Sequence, residues 1–154
     1  MGVREIYRWF MVREPLVEVS VVIAAPAEAV WRALVDPDTR ALWWSYLDLD
    51  ARVNGRLSER WSGANGEARL TTGRVEALDP CRMLRFTWAD DDWAVSTTVT
   101  IELTRARPGT QLRVRETGWN HLPDGPSLAA AHRDGWGAHV EDLRRFTEAA
   151  GGPR

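Results

Sequence analysis

Glu116 and His132 are the side chains best placed by type and position for acid–base chemistry. Glu116 shares strand parity with Leu112 and Val114, so it points to the same side as an apolar face. A carboxylate inside an apolar cavity either resists ionisation or takes an Arg partner. Glu116 is therefore a candidate ligand anchor or general acid/base, unless the strand leaves the core there and the side chain is solvated. His132 and His139 lie seven residues apart, about 10 Å along a helix. Both can sit near Trp136, but they cannot readily share one metal ion, and no His-Glu-x-x-His pattern occurs. His132 can line a pocket or bond at a helix seam. Tyr46 is a further acid–base candidate. His121, in a loop, is expected to be exposed near a cavity mouth.

Other chemistries are missing. The 20 basic residues are all Arg, which removes lysine Schiff bases and the P-loop lysine. Cys81 is the single cysteine, so a Cys-cluster zinc site is excluded and a reducing cytoplasm is expected. Arg60-Trp61-Ser62-Gly63 lacks the first Gly of a nucleophile elbow. Asp90-Asp91-Asp92 lacks the calcium-loop Gly and distal Glu and reads as a charged turn. No metal and no cofactor are expected.

Tryptophan is abundant, with nine residues. Its large rigid rings serve cores, pockets and interfaces. Trp44, Trp61, Trp88 and Trp136 are the preferred candidates to line a cavity, with Trp119 beside them.

The elements that must position these groups follow from periodicity. Val17, Val19, Val21 and Ile23 alternate with smaller or polar residues and form a strand. Pro26 opens a short helix whose Ala27, Val30, Trp31 and Leu34 share one face. Asp36-Pro37 ends it and starts a second short helix through Trp43-Trp44. A six-strand meander follows, over 47–53, 56–61, 68–78, 83–88, 93–103 and 111–117. Asn54-Gly55 marks the first hairpin, and Gly73 suggests a bulge. From Ser127, a plausible N-cap, to about Ala149 the period becomes helical, with Trp136, Val140, Leu143 and Phe146 on one face. Gly135 and Gly137 suggest a close neighbour or a bend. A single amphipathic helix must bury its face on the meander.

The fold class is therefore α+β. Residues 1–16 read as an N-terminal extension in which Trp9 and Phe10 could make a dimer contact. Residues 17–150 form one domain and 151–154 a disordered tail. The chain has 154 residues, 44% of them hydrophobic, enough for a core without disulfides. A net charge of −2 argues against nucleic-acid binding. No apolar run approaches the ~20 residues of a membrane helix.

Several stretches, in order, resemble the activator of heat-shock-90 ATPase homologue-like family of the START and birch-pollen-allergen superfamily. They are 23–34, Trp43-Trp44, 73–80 with 82–88, 109–112 with 116–119, and His132 with Gly135-Trp136. The resemblance implies a helix-grip fold: a curved antiparallel sheet of about seven strands around a long C-terminal helix, with two short helices after the first strand. It also implies a hydrophobic cavity between sheet and helix. The expected partner is a small hydrophobic, possibly polycyclic or polyketide-like ligand. Superfamily members include carriers, polyketide cyclases, co-chaperones and antibiotic self-protection proteins, so a cyclase or aromatase and a co-chaperone or self-sacrifice resistance protein are the alternatives. The heat-shock activators carry a further N-terminal domain for which this length leaves no room. No residue pattern points to a protein partner.

Overall fold

The computed structural model describes residues 15–151. The expectations placed on residues 1–14 and 152–154, the Trp9–Phe10 contact among them, lie outside the described residues. Seven antiparallel strands form one sheet: β1 (Val17–Ile23), β2 (Leu47–Leu49), β3 (Arg56–Ser62), β4 (Ala68–Asp79), β5 (Met83–Asp90), β6 (Thr97–Ala106) and β7 (Gly109–Thr117). Their spatial order is β1-β7-β6-β5-β4-β3-β2, a meander closed by the first strand. Helices α1 (Ala27–Val35) and α2 (Pro37–Arg40) follow β1. A 3-10 turn (Trp119–His121) leads into the 26-residue α3 (Gly125–Ala150). This is the helix-grip arrangement, a curved sheet packed against one long helix. Among the described residues no helix is long and apolar enough to cross a membrane.

Alternation explains the sheet's buried face. Leu84, Phe86 and Trp88 of β5, Thr97, Val99, Ile101 and Leu103 of β6, and Leu112, Val114 and Glu116 of β7 are all buried. From α3, Ala129, Trp136, Val140 and Leu143 enter the same core. Buried Arg40 anchors the α1–β2 corner. Its guanidinium donates to the carbonyls of Leu34 at 2.9 Å, Leu49 at 3.1 Å and Leu47 at 3.4 Å. This corner carries Trp43 and Trp44 inward.

Several boundaries differ from those read in the sequence. Helix α2 stops at Arg40, and 41–43 form turns. Strand β2 ends at Leu49, because the chain turns through Asp50–Gly55, where Arg52 N–H bonds to the Asp50 carbonyl. The irregularity of β4 lies between Val75 and Ala77. Gly73 has a different role: a Cβ there would stand 1.9 Å from the Thr87 carbonyl oxygen. Strand β6 begins at Thr97, since Trp93 closes a turn onto the Asp90 carbonyl. Helix α3 begins at Gly125 with Pro126 in its first turn, so Ser127 is not its cap. Gly135 and Gly137 do not mark a close packing, because a Cβ at either meets nothing within 4 Å.

Candidate functional site

The sequence places Glu116 on the inner face of β7, and there it is fully buried. Its neighbours across the sheet are Val17 and Val99. A buried carboxylate is costly unless donors surround it. Three side chains supply them, none an Arg. Trp136 Nε1 donates to Oε1 at 2.8 Å, His132 Nδ1 lies 3.0 Å from the same oxygen, and Thr97 Oγ1 donates to Oε2 at 2.5 Å. Glu116 therefore has little capacity left for a ligand. Its effect is to fix the rings of His132 and Trp136, which are four residues apart on α3 and so share a face.

His132 also lies among rings. Trp119 is edge-on at 4.8 Å between centroids, Trp93 at 5.4 Å, and Trp88 edge-on at 6.5 Å. With Nδ1 committed to Glu116, Nε2 is the nitrogen left to a ligand.

Beside His132 a cleft of about 200 Å³ opens between α3 and strands β3–β5. Trp61, Trp88 and Trp136 give it aromatic walls, and Ala131, Gly135 and His139 complete the helix side. The sheet side is polar. Glu59, Thr71 and Asp90 occupy one cross-strand row, Glu59 opposite Thr71 and Thr71 opposite Asp90. Trp61 Nε1 donates to Thr71 Oγ1 at 3.0 Å, and that hydroxyl donates to Asp90 Oδ1 at 2.6 Å. Glu59 Oε2 accepts from Trp44 Nε1 at 2.7 Å. Burial raises the Glu59 carboxyl above its ordinary range, and the nearby Asp90 charge adds to this. Burial likewise lowers the pKa of His139, whose ring stacks on Trp44 at 4.1 Å. The buried indole N–H of Trp88, a cleft-lining ring only 6% exposed, has no hydrogen-bond acceptor in the structure.

The structure thus gathers Trp61, Trp88, His132 and Trp136 around one cleft. Glu116 stands behind them as a support. Trp44 and Trp119 are buried and pack on site residues, Trp44 edge-on to Trp136 at 6.0 Å, but neither lines the cleft. Tyr46 is 70% exposed and lies outside the lining, and His121 is exposed and also outside it. Trp44, Trp88, Trp119 and Trp136 belong to the packed core between sheet and helix, and beside them lies the cleft of about 200 Å³. Glu59 was not singled out from the sequence, Asp90 was read as part of a charged turn, and His139 was placed near Trp136 without a role. Strand parity with Trp61 and Trp88 could have found the first two. Among the described residues no group of three His, Cys, Asp or Glu is placed to hold a metal ion.

Residues 24–148 match the family model described as Activator of Hsp90 ATPase homolog 1-like protein. No curated protein matches the chain in sequence. Solved structures do. Protein MLL2253 from Mesorhizobium loti is 29% identical over 87% of this chain and 97% of its own, with a TM-score of 0.71. DynU16, from the dynemicin biosynthetic locus, is 25% identical with a TM-score of 0.74. That match covers 89% of this chain and 48% of DynU16. CalU16 from Micromonospora echinospora shares the fold at 19% identity and a TM-score of 0.66, over 86% of this chain and 74% of its own.

Proposed function

The chain belongs to the Activator of Hsp90 ATPase homolog 1-like family, and we propose that it binds a small, flat, largely hydrophobic molecule in the cleft between β3–β5 and α3. The observation that carries this reading is Trp88. Its ring lines the cleft, and its buried N–H is left without an acceptor. Such a donor costs about 1–3 kcal/mol. A ligand carbonyl or hydroxyl oxygen would remove that cost while its ring packs against Trp61 and Trp136.

Size narrows the ligand. Pockets for drug-sized molecules run to about 300–1,000 Å³. A cleft of about 200 Å³ suits one ring with short substituents, or the end of a longer molecule. Polycyclic or polyketide-like ligands would have to leave part of their length outside.

Native mass spectrometry of freshly purified protein tests the reading, beside the Gly135→Leu variant, whose side chain would enter the cleft. A small organic adduct on the wild type, lost from the variant, is the expected result. A bare mass together with no saturable quenching of Trp emission by one-ring aromatic carbonyls would overturn it.

A catalytic reading has its own observation in favour: His132, oriented by Glu116, stands across the cleft from Glu59. A carboxyl raised toward neutrality and an oriented imidazole form an acid/base pair suited to enolisation or dehydration of a keto compound. Cyclase or dehydratase activity would then require both groups. A rate unaffected by Glu59→Gln and His132→Gln would dismiss it. DynU16's place in a biosynthetic locus also keeps a self-protection role in view. Cleavage of this chain's own backbone by a reactive natural product would reveal that role.

A further inference from the structure

The cleft carries charge of one sign on its sheet side. The chain has 20 basic and 22 acidic residues, and two carboxylates but no Arg line this cleft. Glu59 and Asp90 flank Thr71 in one row on the floor. Each spends one oxygen on a neighbour, Glu59 Oε2 on Trp44 and Asp90 Oδ1 on Thr71. Glu59 Oε1 and Asp90 Oδ2 remain to accept from a ligand. Trp61 and Trp88 rise from the same sheet face two residues along β3 and β5, and Trp136 adds a third ring from α3. Aromatic rings beside carboxylates are the surroundings that an organic cation prefers, because ring quadrupole and carboxylate attract the same charge.

The nearest cation illustrates this chemistry without occupying the site. The Arg69 guanidinium stacks on Trp61, 5.0 Å from the ring centroid. Its charge is met by Asp91 at 2.8 Å and Asp92 at 2.7 Å. Arg69 does not line the cleft. His132 does, and its charge when protonated bears on Glu59, but its Nδ1 is already taken by Glu116. His139 is held toward its neutral form by burial and adds no fixed positive charge. Trp88, one of the lining rings, adds a buried N–H that no acceptor meets.

We propose that the cleft selects a small aromatic amine, whose ammonium is held by Glu59 and Asp90 and whose ring oxygen takes the N–H of Trp88. The proposal rests on the ligand-binding reading above and sharpens it from a hydrophobic molecule to a cationic one.

Three one-ring probes of matched shape test it by calorimetric titration at neutral pH: tyramine (cation), tyrosol (neutral) and 4-hydroxyphenylacetate (anion). Tyramine is expected to bind about tenfold or more tighter than tyrosol, with the anion weakest. Glu59→Gln, which keeps an acceptor for Trp44, and Asp90→Asn should each shrink the ratio of tyramine to tyrosol affinity. Tyrosol or the anion binding as tightly as tyramine would overturn the charge preference and leave the cleft reading standing. A tyramine preference untouched in both variants would overturn the assignment to these carboxylates. Saturable binding by none of the three would overturn the cleft reading itself.

Discussion

Glu116 Oε1 stands 3.0 Å from His132 Nδ1, and this contact joins the middle of the sheet to the cleft-facing side of α3. The same oxygen takes the Trp136 N–H at 2.8 Å. One buried carboxylate thereby sets two neighbouring ligand-facing rings. Glu116 stands behind the cleft, while His132 and Trp136 line it; on the proposed binding reading Glu116 is a positioning residue.

Removing that carboxylate should cost both fold and site. Glu116→Ala leaves the Trp136 and His132 donors without an acceptor, Thr97 keeping the Trp88 carbonyl, and a loss of about 3–5 kcal/mol is expected in denaturant melts. Glu116→Gln keeps the shape and one acceptor oxygen, and should cost about 1–3 kcal/mol. The Gln variant should remain folded and bind ligand more weakly, with broadened His132 imidazole resonances. Sharp, unmoved His132 signals in that variant would refute the positioning role.

Glu59 should trade stability for function. Its folded pKa lies above the ordinary 4.5 because of burial, then the Asp90 charge. A raised carboxyl contributes stability fully below 4.5 and loses it as pH rises through the folded value. Glu59→Gln should therefore be more stable than wild type at neutral pH, with the advantage fading toward acid. Melting temperatures across pH 4 to 8 check this, and an advantage that grows toward acid would contradict it.

His139 should act in the opposite direction. Burial lowers its pKa below the ordinary 6.5, with Asp142 opposing weakly. Its contribution is complete above 6.5 and is lost as pH falls through the folded value. His139→Phe keeps the stacking on Trp44 and removes the titration. Its stability should fall less on acidification than that of the wild type, and parallel curves would argue against the assignment.

The two helix glycines should separate stability from access. A Cβ at Gly135 or Gly137 meets nothing within 4 Å, so each Ala variant should gain up to about 1 kcal/mol from helix propensity. Gly135 lines the cleft and Gly137 does not. Gly135→Ala should weaken ligand binding, whereas Gly137→Ala should leave it unchanged. Equal affinities in the two variants would place the ligand elsewhere.

The strand meander, the long helix and the inward direction of Glu116 were legible because each rests on a periodicity of 2 or 3.6. What Glu116 touches was not, since Thr97, His132 and Trp136 reach it through space from β6 and α3. Glu59 was passed over although it shares parity with Leu57 and Trp61. Asp90 was hidden by its neighbours, because a run of three Asp reads as a turn, and only Asp91 and Asp92 lie in it. Trp44 and Trp119 were over-read as cavity walls. Indole area fills a core as readily as it lines a hollow, and only the packing decides.

The most direct test follows the side-chain ¹H–¹⁵N signal of Trp88, assigned through Trp88→Phe, while the tightest-binding of the three one-ring probes is titrated in. Binding in the cleft should move the Trp88 N–H resonance saturably downfield, as an N–H does on gaining an acceptor, and Trp61 and Trp136 should move with it while Trp31 stays. A Trp88 signal unmoved at saturation, or shifts confined to Trp31 and Trp43, would contradict binding in this cleft.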